Sequence, residues 1–521
     1  MNLFTRGFTL EKKYFLAIDC GTSALKAVVY DKKFKPVAKA SSEIVTVYPK
    51  PNWAEQDPNA WWKTTVQCIR QDLKKIDPEE VMGVGFTSQC HGLVLVDEGC
   101  NPIMNCLIWP DLRAIAQAEE LNISGVVAEG NWKPGPEGIS AHYTAAKLLW
   151  VKQNLPNAFD KTYKFLIPKD FLRTKLTMDF VTDVIGAGYT QLFDMSTGQW
   201  DWKLVDYIDF PREKMPKIHP TEEVVGYITK SASTETGLVE GTPVIAGQCN
   251  GPITPILMSL ANKGKIKPNE DYIILYTGTA PAIYHFSSRA GFQLEFEEMT
   301  TPSPFFVGSL SASGGGLIKW YKEQFGSMEE QAGLKMNLSP YQILDEGASK
   351  IEPGAEGLIF LPHMMGERGP YNDFARGVLY GLSLGHRREH FYRAILEGIT
   401  FQLKLLYDIG QGIKDIKIDK MIMFGGGSKS EIWKQITADI FGYPLYTVTE
   451  EEAATLNIAC MISVGLKVYP DFKEAAKYVD VDFKDITYPG PDSKKYEKPY
   501  ALFKKVSEAM QPVFTKKWNT Y

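Results

Sequence analysis

Tyr14-Phe-Leu-Ala-Ile-Asp-Cys-Gly-Thr-Ser-Ala-Leu-Lys-Ala-Val-Val-Tyr-Asp31 is the stretch on which the fold turns. Tyr14 to Ile18 is an apolar run of the kind that forms a buried strand. The polar segment Asp19 to Lys26 contains Gly21, and the apolar run resumes at Ala27-Val-Val-Tyr30. This pattern predicts a β-hairpin with a polar, glycine-containing tip. Much later, Tyr272-Ile-Ile-Leu-Tyr276, Thr277-Gly-Thr279 and Ala282-Ile-Tyr-His285 repeat the scheme of strand, Gly-Thr turn and strand. Two such units far apart point to two related halves.

Between and beyond them, short apolar strands at 81–86, 92–96 and 242–246 alternate with helical patterns such as Thr144 to Gln153. Such alternation predicts α/β architecture. Gly314-Gly-Gly-Leu-Ile-Lys-Trp-Tyr-Lys-Glu-Gln-Phe325 reads as a glycine turn that opens a helix. A longer helix is expected from about Glu389 to Asp408, with Phe391, Ile395, Ile399, Leu403 and Leu406 along one stripe. Gly398 inside it costs about 1 kcal/mol against alanine, so close packing is its expected justification. Met421-Ile-Met-Phe424 is read as a strand, Gly425-Gly-Gly-Ser428 as a turn, and the helix after it carries Ile432, Ile436 and Ile440. The first domain is placed at about 10–255 and the second at about 256–485, with a closing helix and tail in 486–521.

The protein has 521 residues, 44% apolar and 23% charged, enough for large cores and for more than one domain. Its 57 basic and 62 acidic side chains are intermixed, which argues against nucleic acid as a partner. The seven cysteines show neither a CxxC pair nor a Cys/His cluster of zinc spacing, so they read as reduced thiols. The start of the sequence lacks an apolar core ahead of Glu11 to Lys13, and no long uncharged apolar stretch follows. The expectation is a cytoplasmic protein with no membrane segment.

Three stretches carry candidate chemistry. Around Gly21 the backbone N–H groups are unobstructed and Thr22 and Ser23 add hydroxyls, an arrangement suited to phosphate as well as to an ordinary hairpin turn. Asp19, at the end of a buried strand, could hold Mg²⁺ through water. Gly278 with Thr279 supplies the matching loop of the second half. The unit of strand, Gly425-Gly-Gly-Ser and helix places glycines where nucleotides bind in α/β folds. Its spacing is not the G-x-G-x-x-G of a dinucleotide fingerprint, which sets a Rossmann dehydrogenase aside.

Taken together these segments resemble the FGGY carbohydrate kinases over nearly the whole sequence. Gly377-Val-Leu-Tyr-Gly-Leu-Ser-Leu-Gly-His-Arg-Arg-Glu-His-Phe-Tyr-Arg-Ala-Ile-Leu-Glu397 is similar to the family's C-terminal signature, and Leu361-Pro-His-Met-Met-Gly-Glu-Arg-Gly-Pro370 to its LPYLxGERTP segment. Thr144-Ala-Ala-Lys-Leu-Leu-Trp150 resembles the N-terminal signature, with His142 at a position where the family usually has an aromatic, Gly, Ser or Met. The resemblance implies a two-lobed actin/hexokinase/ribonuclease H-like ATPase fold with a deep interdomain cleft, ATP and Mg²⁺ as cofactors, and a small sugar as substrate. It leaves room for a homodimer. It assigns Gly21, Thr22, Ser23, Lys26, Gly278, Thr279, Gly315, Lys319, Gly426, Gly427, Ser428 and Asn457 to ATP, and Asp19 to the metal.

On the sugar side, Ser88-Gln-Cys90-His91-Gly92 resembles the QMHG segment of the xylulose kinases in that family, and Trp109-Pro-Asp111-Leu-Arg113 their W-x-D-x-R segment. These imply sugar contacts by Cys90, His91, Trp109, Asp111, Arg113 and Gly251. A neutral histidine can donate to or accept from a hydroxyl, while core packing is the competing role for His91 and Trp109. The pattern breaks at Gly241-Thr-Pro-Val-Ile-Ala-Gly-Gln-Cys-Asn250, where Asn250 stands at the position of the family's catalytic aspartate. A carboxamide orients a hydroxyl but does not accept its proton near neutral pH, and loss of a positioned base costs about 10²- to 10⁴-fold in rate. An introduced Asp-to-Asn change, a natural weakened or sugar-sensing relative, and a register offset by a residue or two all account for it. The implied reaction is ATP-dependent phosphorylation of a ketose, D-xylulose to D-xylulose 5-phosphate first. Pro110, Leu112, Gln248 and Cys249 depart from the commonest xylulose-kinase letters and keep other sugars and polyols open.

Overall fold

The computed structural model describes residues 12–126, 138–194, 197–250, 254–267, 270–287, 306–311, 313–367, 373–411, 418–449 and 452–515. Helices and mixed sheets build two compact units. The first comprises 1–132, 141–262 and 452–480, and the second 133–140, 263–451 and 481–521.

In the first unit, Tyr14–Cys20 pairs antiparallel with Ala24–Asp31, Cys20 opposite Leu25, so Gly21 to Ser23 form the hairpin tip. Six strands make the sheet, in the order 224–227, 243–245, 81–88, 14–20, 24–31 and 36–43. Strands 243–245, 81–88 and 14–20 are mutually parallel, so their carboxyl ends leave the sheet on the same edge. The core beneath includes Leu16, Ile18, Val84, Phe86, Trp61 and Phe171.

The helix Ala453–Gly465 packs on this sheet, where Gly85 and Gly83 leave room for Ile458 and Ile462. The first unit therefore reclaims a late segment of the sequence, and the compact units do not follow the sequence boundary at 255/256 and 485. The physical reason is burial: Leu456, Ile458, Ala459, Cys460, Met461 and Ile462 are all buried, and Tyr30 shares a hydrogen bond of 2.8 Å with Thr455.

In the second unit, Asp271–Tyr276 and Ala282–Ser287 form the second hairpin, in a sheet ordered 306–310, 282–287, 271–276, 420–424, 445–448 and 483–487. The expected glycine-opened helix is Gly315–Phe325, and the long helix is Arg388–Gln411. Ile395, Ile399, Leu403 and Leu406 are buried in the core of this unit, with Phe391 packed against it. A β-carbon at Gly398 would lie 2.2 Å from the Phe360 carbonyl oxygen. Helix propensity alone would make Gly398→Ala stabilising by about 1 kcal/mol. The backbone contact reverses the sign, and we expect a loss of about 1–3 kcal/mol in denaturant unfolding.

Candidate functional site

The carboxyl ends of the parallel strands gather the polar side chains of the first unit. Asp19 lies beside Thr87 in the strand register. The backbone after 243–245 continues alongside strand 81–88, Gln248 N–H donating to the Phe86 carbonyl and Asn250 N–H to that of Ser88 at 2.8 Å. Thr87 Oγ1 then donates to Asn250 Oδ1 at 3.1 Å, and Cys90 Sγ to the Asn250 carbonyl at 3.3 Å. Asp19, Thr87 and Asn250 thus stand side by side at the edge where α/β sheets bind ligands.

Asp19 keeps a little exposure as a residue, but its Oδ1 is closed off from solvent and has no hydrogen-bond partner. Burial pushes the carboxyl up to about 6; Lys26 across the hairpin pulls it down, and Glu452 adds a smaller push upward. Glu452 holds Lys26 at 2.9 Å and also pairs with Lys39. An unpartnered carboxylate oxygen of this kind fits a hydrated Mg²⁺, which keeps most of its waters and takes one or two carboxylates. Among the described residues no group of three or more His, Cys, Asp or Glu could hold a metal ion.

The hairpin tip is tied to the rest of the site by a series of hydrogen bonds. Trp109 Nε1 donates to Thr22 Oγ1 at 2.9 Å, Thr22 Oγ1 to Gln89 Oε1 at 3.3 Å, and Gln89 Nε2 to Gln56 Oε1 at 2.8 Å. Gln56 Nε2 closes the loop on the Thr22 carbonyl at 2.8 Å. Trp109 thereby holds the Gly21 to Ser23 turn. Gln56 and Thr87 were not singled out from the sequence, where a buried threonine in a strand carries no motif, and Gln89 stood in the QMHG-like segment without a role of its own.

His91 has φ +62, in the left-handed region that few non-glycine residues enter, histidine more readily than most. Its Nδ1 meets the Tyr189 carbonyl at 2.8 Å, and its ring packs edge-on against Tyr143 and Tyr189, centroids 4.3 and 5.2 Å away. The buried Lys147 ammonium donates to the carbonyls of His91, Ile108 and His142, bracing the backbone that bends there. Asp111 and Arg113 are committed to each other: Arg113 Nε and Nη2 donate to the two oxygens of Asp111 at 2.8 and 2.7 Å, and Nη2 also meets Glu55. The guanidinium lies 3.7 Å from the Trp53 ring centre. This pair braces the segment after Trp109. Gly251 lies outside the described residues.

In the second unit three glycine segments converge. Gly315 N–H donates to the Gly278 carbonyl at 2.9 Å, Gly316 N–H to that of Thr279 at 3.1 Å, and Gly427 N–H to that of Thr277 at 3.3 Å. Thr277 anchors the meeting point through its N–H and its hydroxyl, both on the Phe424 carbonyl. Gly425 has φ +92, and a β-carbon there would meet the Thr277 backbone at 3.0 Å. Gly426 is exposed at the head of the turn Gly426–Lys429, and Ser428 Oγ bonds back to the Gly425 carbonyl. Lys319, on the helix behind, is partly exposed and pairs with Glu323. Asn457 is in the first unit, buried, with Oδ1 unpartnered. A β-carbon on Gly315 would sit 2.7 Å from the Gly278 oxygen. Gly315→Ala is therefore expected to weaken ADP binding about tenfold in calorimetry, since the two segments cannot keep their approach.

The FGGY family of carbohydrate kinases matches this protein twice, its N-terminal domain over residues 14–254 and its C-terminal domain over 273–464. The chain belongs to that family. FGGY relatives include a xylulose kinase of Lactococcus lactis, 29% identical over 505 residues, covering 95% of this chain and 96% of that one. A gluconokinase of Bacillus licheniformis is 25% identical, covering 96% and 97%. Among solved structures, a gluconate kinase from Lactobacillus acidophilus matches with a TM-score of 0.76 at 25% identity, covering 96% of this chain and 99% of that one. A ligand-bound xylulose kinase from the same organism gives 0.75 at 25%, covering 96% and 100%. The two-domain α/β fold expected from the sequence is therefore the family's, and the protein is a carbohydrate kinase. Among the described residues no helix is long and apolar enough to cross a membrane.

Proposed function

We propose that this FGGY kinase transfers the γ-phosphoryl group of Mg·ATP to a primary hydroxyl of a small open-chain sugar, with D-xylulose as the first candidate. The observation that carries the reading is the row Asp19, Thr87 and Asn250 at the strand ends, flanked by the Gly21 to Ser23 tip and by the strained His91. His91 and Cys90 bind the sugar, Asn250 orients the attacking hydroxyl, and Asp19 holds the water shell of the metal. Gly21, Thr22, Ser23 and Lys26 meet phosphate oxygens. The glycine segments at 278–279, 315 and 426–428 take the nucleotide. Bound Mg²⁺ supplies charge neutralisation on the transferring phosphate, and positioning supplies most of the remainder in such reactions.

A coupled ADP-release assay over pentuloses, gluconate and polyols, run on this protein and on Asn250→Asp, tests the reading. D-xylulose is expected to give the highest kcat/KM. A different preferred sugar would move the substrate; no turnover on any of them by either protein would remove the kinase. The second reading, a protein that binds sugar and nucleotide without turnover, is favoured by one observation, the carboxamide at position 250. Sugar binding in calorimetry with no ADP release from either protein would establish it.

A further inference from the structure

Asn250 is followed by Gly251, and of all the asparagines in the 521 residues it alone precedes a glycine. Asn-Gly is the pair most prone to hydrolytic loss of the side-chain amide, because the glycine's lack of a β-carbon lets the following backbone nitrogen approach the carboxamide carbon. The single such pair in this protein falls at the residue that the proposed function places against the attacking hydroxyl. We propose that Asn250 is the precursor of a catalytic aspartate, converted in the folded protein by deamidation.

The chemistry balances with water as the only co-reactant. The Gly251 nitrogen gives up its proton and bonds to the carboxamide carbon as the amide C–N bond breaks and ammonia leaves. Water then opens this cyclic imide at either carbonyl, restoring the N–H and giving aspartyl or isoaspartyl carboxylate with ammonium and no change of oxidation state. The surroundings of Asn250 suit both ends of the conversion. The residue is only partly buried, so water reaches it. Thr87 Oγ1 donates to Oδ1 at 3.1 Å, which draws electrons from the carbonyl carbon before the reaction. Afterwards the same hydroxyl meets a carboxylate, a stronger acceptor. The backbone is held on both sides of the Cα, by Asn250 N–H on the Ser88 carbonyl at 2.8 Å and by Cys90 Sγ on the Asn250 carbonyl at 3.3 Å. An aspartyl product keeps that register and places its oxygens where the amide was. An isoaspartyl product lengthens the backbone by one carbon and loses it, so only the aspartyl form is the active one.

The inference rests on the kinase reading, and the experiment separates the two. The full-length protein is incubated at neutral and mildly alkaline pH. Samples are mapped by peptide mass spectrometry, with fragmentation that distinguishes aspartyl from isoaspartyl at position 250, and assayed for ADP release. Asn250→Asp and Asn250→Gln are run beside them. Turnover is expected to rise with the aspartyl fraction towards the level of Asn250→Asp, which itself exceeds fresh protein by about 10²- to 10⁴-fold. Asn250→Gln, whatever its starting turnover, should show no rise on incubation. An active Asn250→Asp beside a protein that keeps its amide, or that gains aspartyl without gaining turnover, overturns the conversion and leaves the kinase standing. An Asn250→Asp that binds sugar but turns nothing over removes the base role and the conversion with it.

Discussion

Asp19→Asn is expected to yield a protein that is more stable than the parent at pH 8 and at least about 10²-fold slower. The rate falls because a carboxamide no longer anchors the water shell of a divalent cation beside the phosphate. Stability rises because the native fold holds an acid that resists ionisation. Burial raises Asp19 from 3.8 to about 6, despite the opposing pull of Lys26. The native state therefore binds more protons than the unfolded state between those two values, and the parent loses stability as pH climbs through that window. Two pKa units correspond to about 3 kcal/mol at pH 7 and above. Unpaired amide donors in the variant take back about 1–3 kcal/mol of this, so the net gain is about 1 kcal/mol. Thermal unfolding of the nucleotide-free proteins should show the difference at pH 8 and its reversal near pH 4, where the parent's penalty is gone and the cost of the unpaired amide remains. A variant less stable than the parent at both pH values would mean that Asp19 is held by a native interaction instead of being tolerated for its chemistry.

The same residue shows how far sequence reasoning reaches. Asp19 and its loop were legible because the apolar run stops at a carboxylate and resumes after a glycine turn, a local pattern of strand and tip. The second hairpin, the helix opening at Gly315 and the role of Gly398 were legible for the same reason, since each depends on near neighbours in sequence. What was hidden comes from distant pairings. Glu452 reaches Lys26 and Lys39 because the helix 453–465 buries its apolar face on the first sheet, and nothing in the linear sequence announces that return. Thr87 becomes a site residue only when the strand beside it delivers Asn250. Conversely, Trp109, Asp111 and Arg113 were read as sugar contacts from a motif. In the fold Trp109 also holds Thr22, while Arg113 and Asp111 bond to one another, so the segment shapes the turn next to it, a contribution that the motif did not announce. A motif records which residues recur together and does not separate the group that touches substrate from the group that supports it.

Lys169→Met is expected to cost about 3–5 kcal/mol of stability, because it leaves a buried acid without its counter-charge. Lys169, Asp170, Arg173 and Asp183 are all completely buried. The ammonium of Lys169 lies 2.5 Å from Asp170 Oδ1 and 2.7 Å from Asp183 Oδ2, and Arg173 reaches Asp170 at 2.8 Å. Burial works against the Lys169 charge, yet the two carboxylates outweigh it and hold the ammonium above its ordinary value. Asp183 is pushed up by burial, with Lys169 opposing. Removing Lys169 removes that opposition, so Asp183 should take up a proton at a higher pH than in the parent. The destabilisation should then shrink as pH falls, since the protonated acid no longer needs a partner. Asp170 keeps Arg173, which makes Asp183 the acid left exposed to the loss and gives a clean double-mutant cycle. Asp183→Asn in the Lys169→Met background should recover about 0.5–3 kcal/mol as a coupling term. The network also touches the site, because Lys169 Nζ and Arg173 Nη1 both donate to the Ala246 carbonyl, on the segment that leads to Asn250. With one of the two donors gone, the segment carrying Asn250 is less firmly placed. Turnover in Asn250→Asp/Lys169→Met should therefore fall more than sugar affinity does, whereas additive pair energies and unchanged turnover would mean that these four charges merely fill the core.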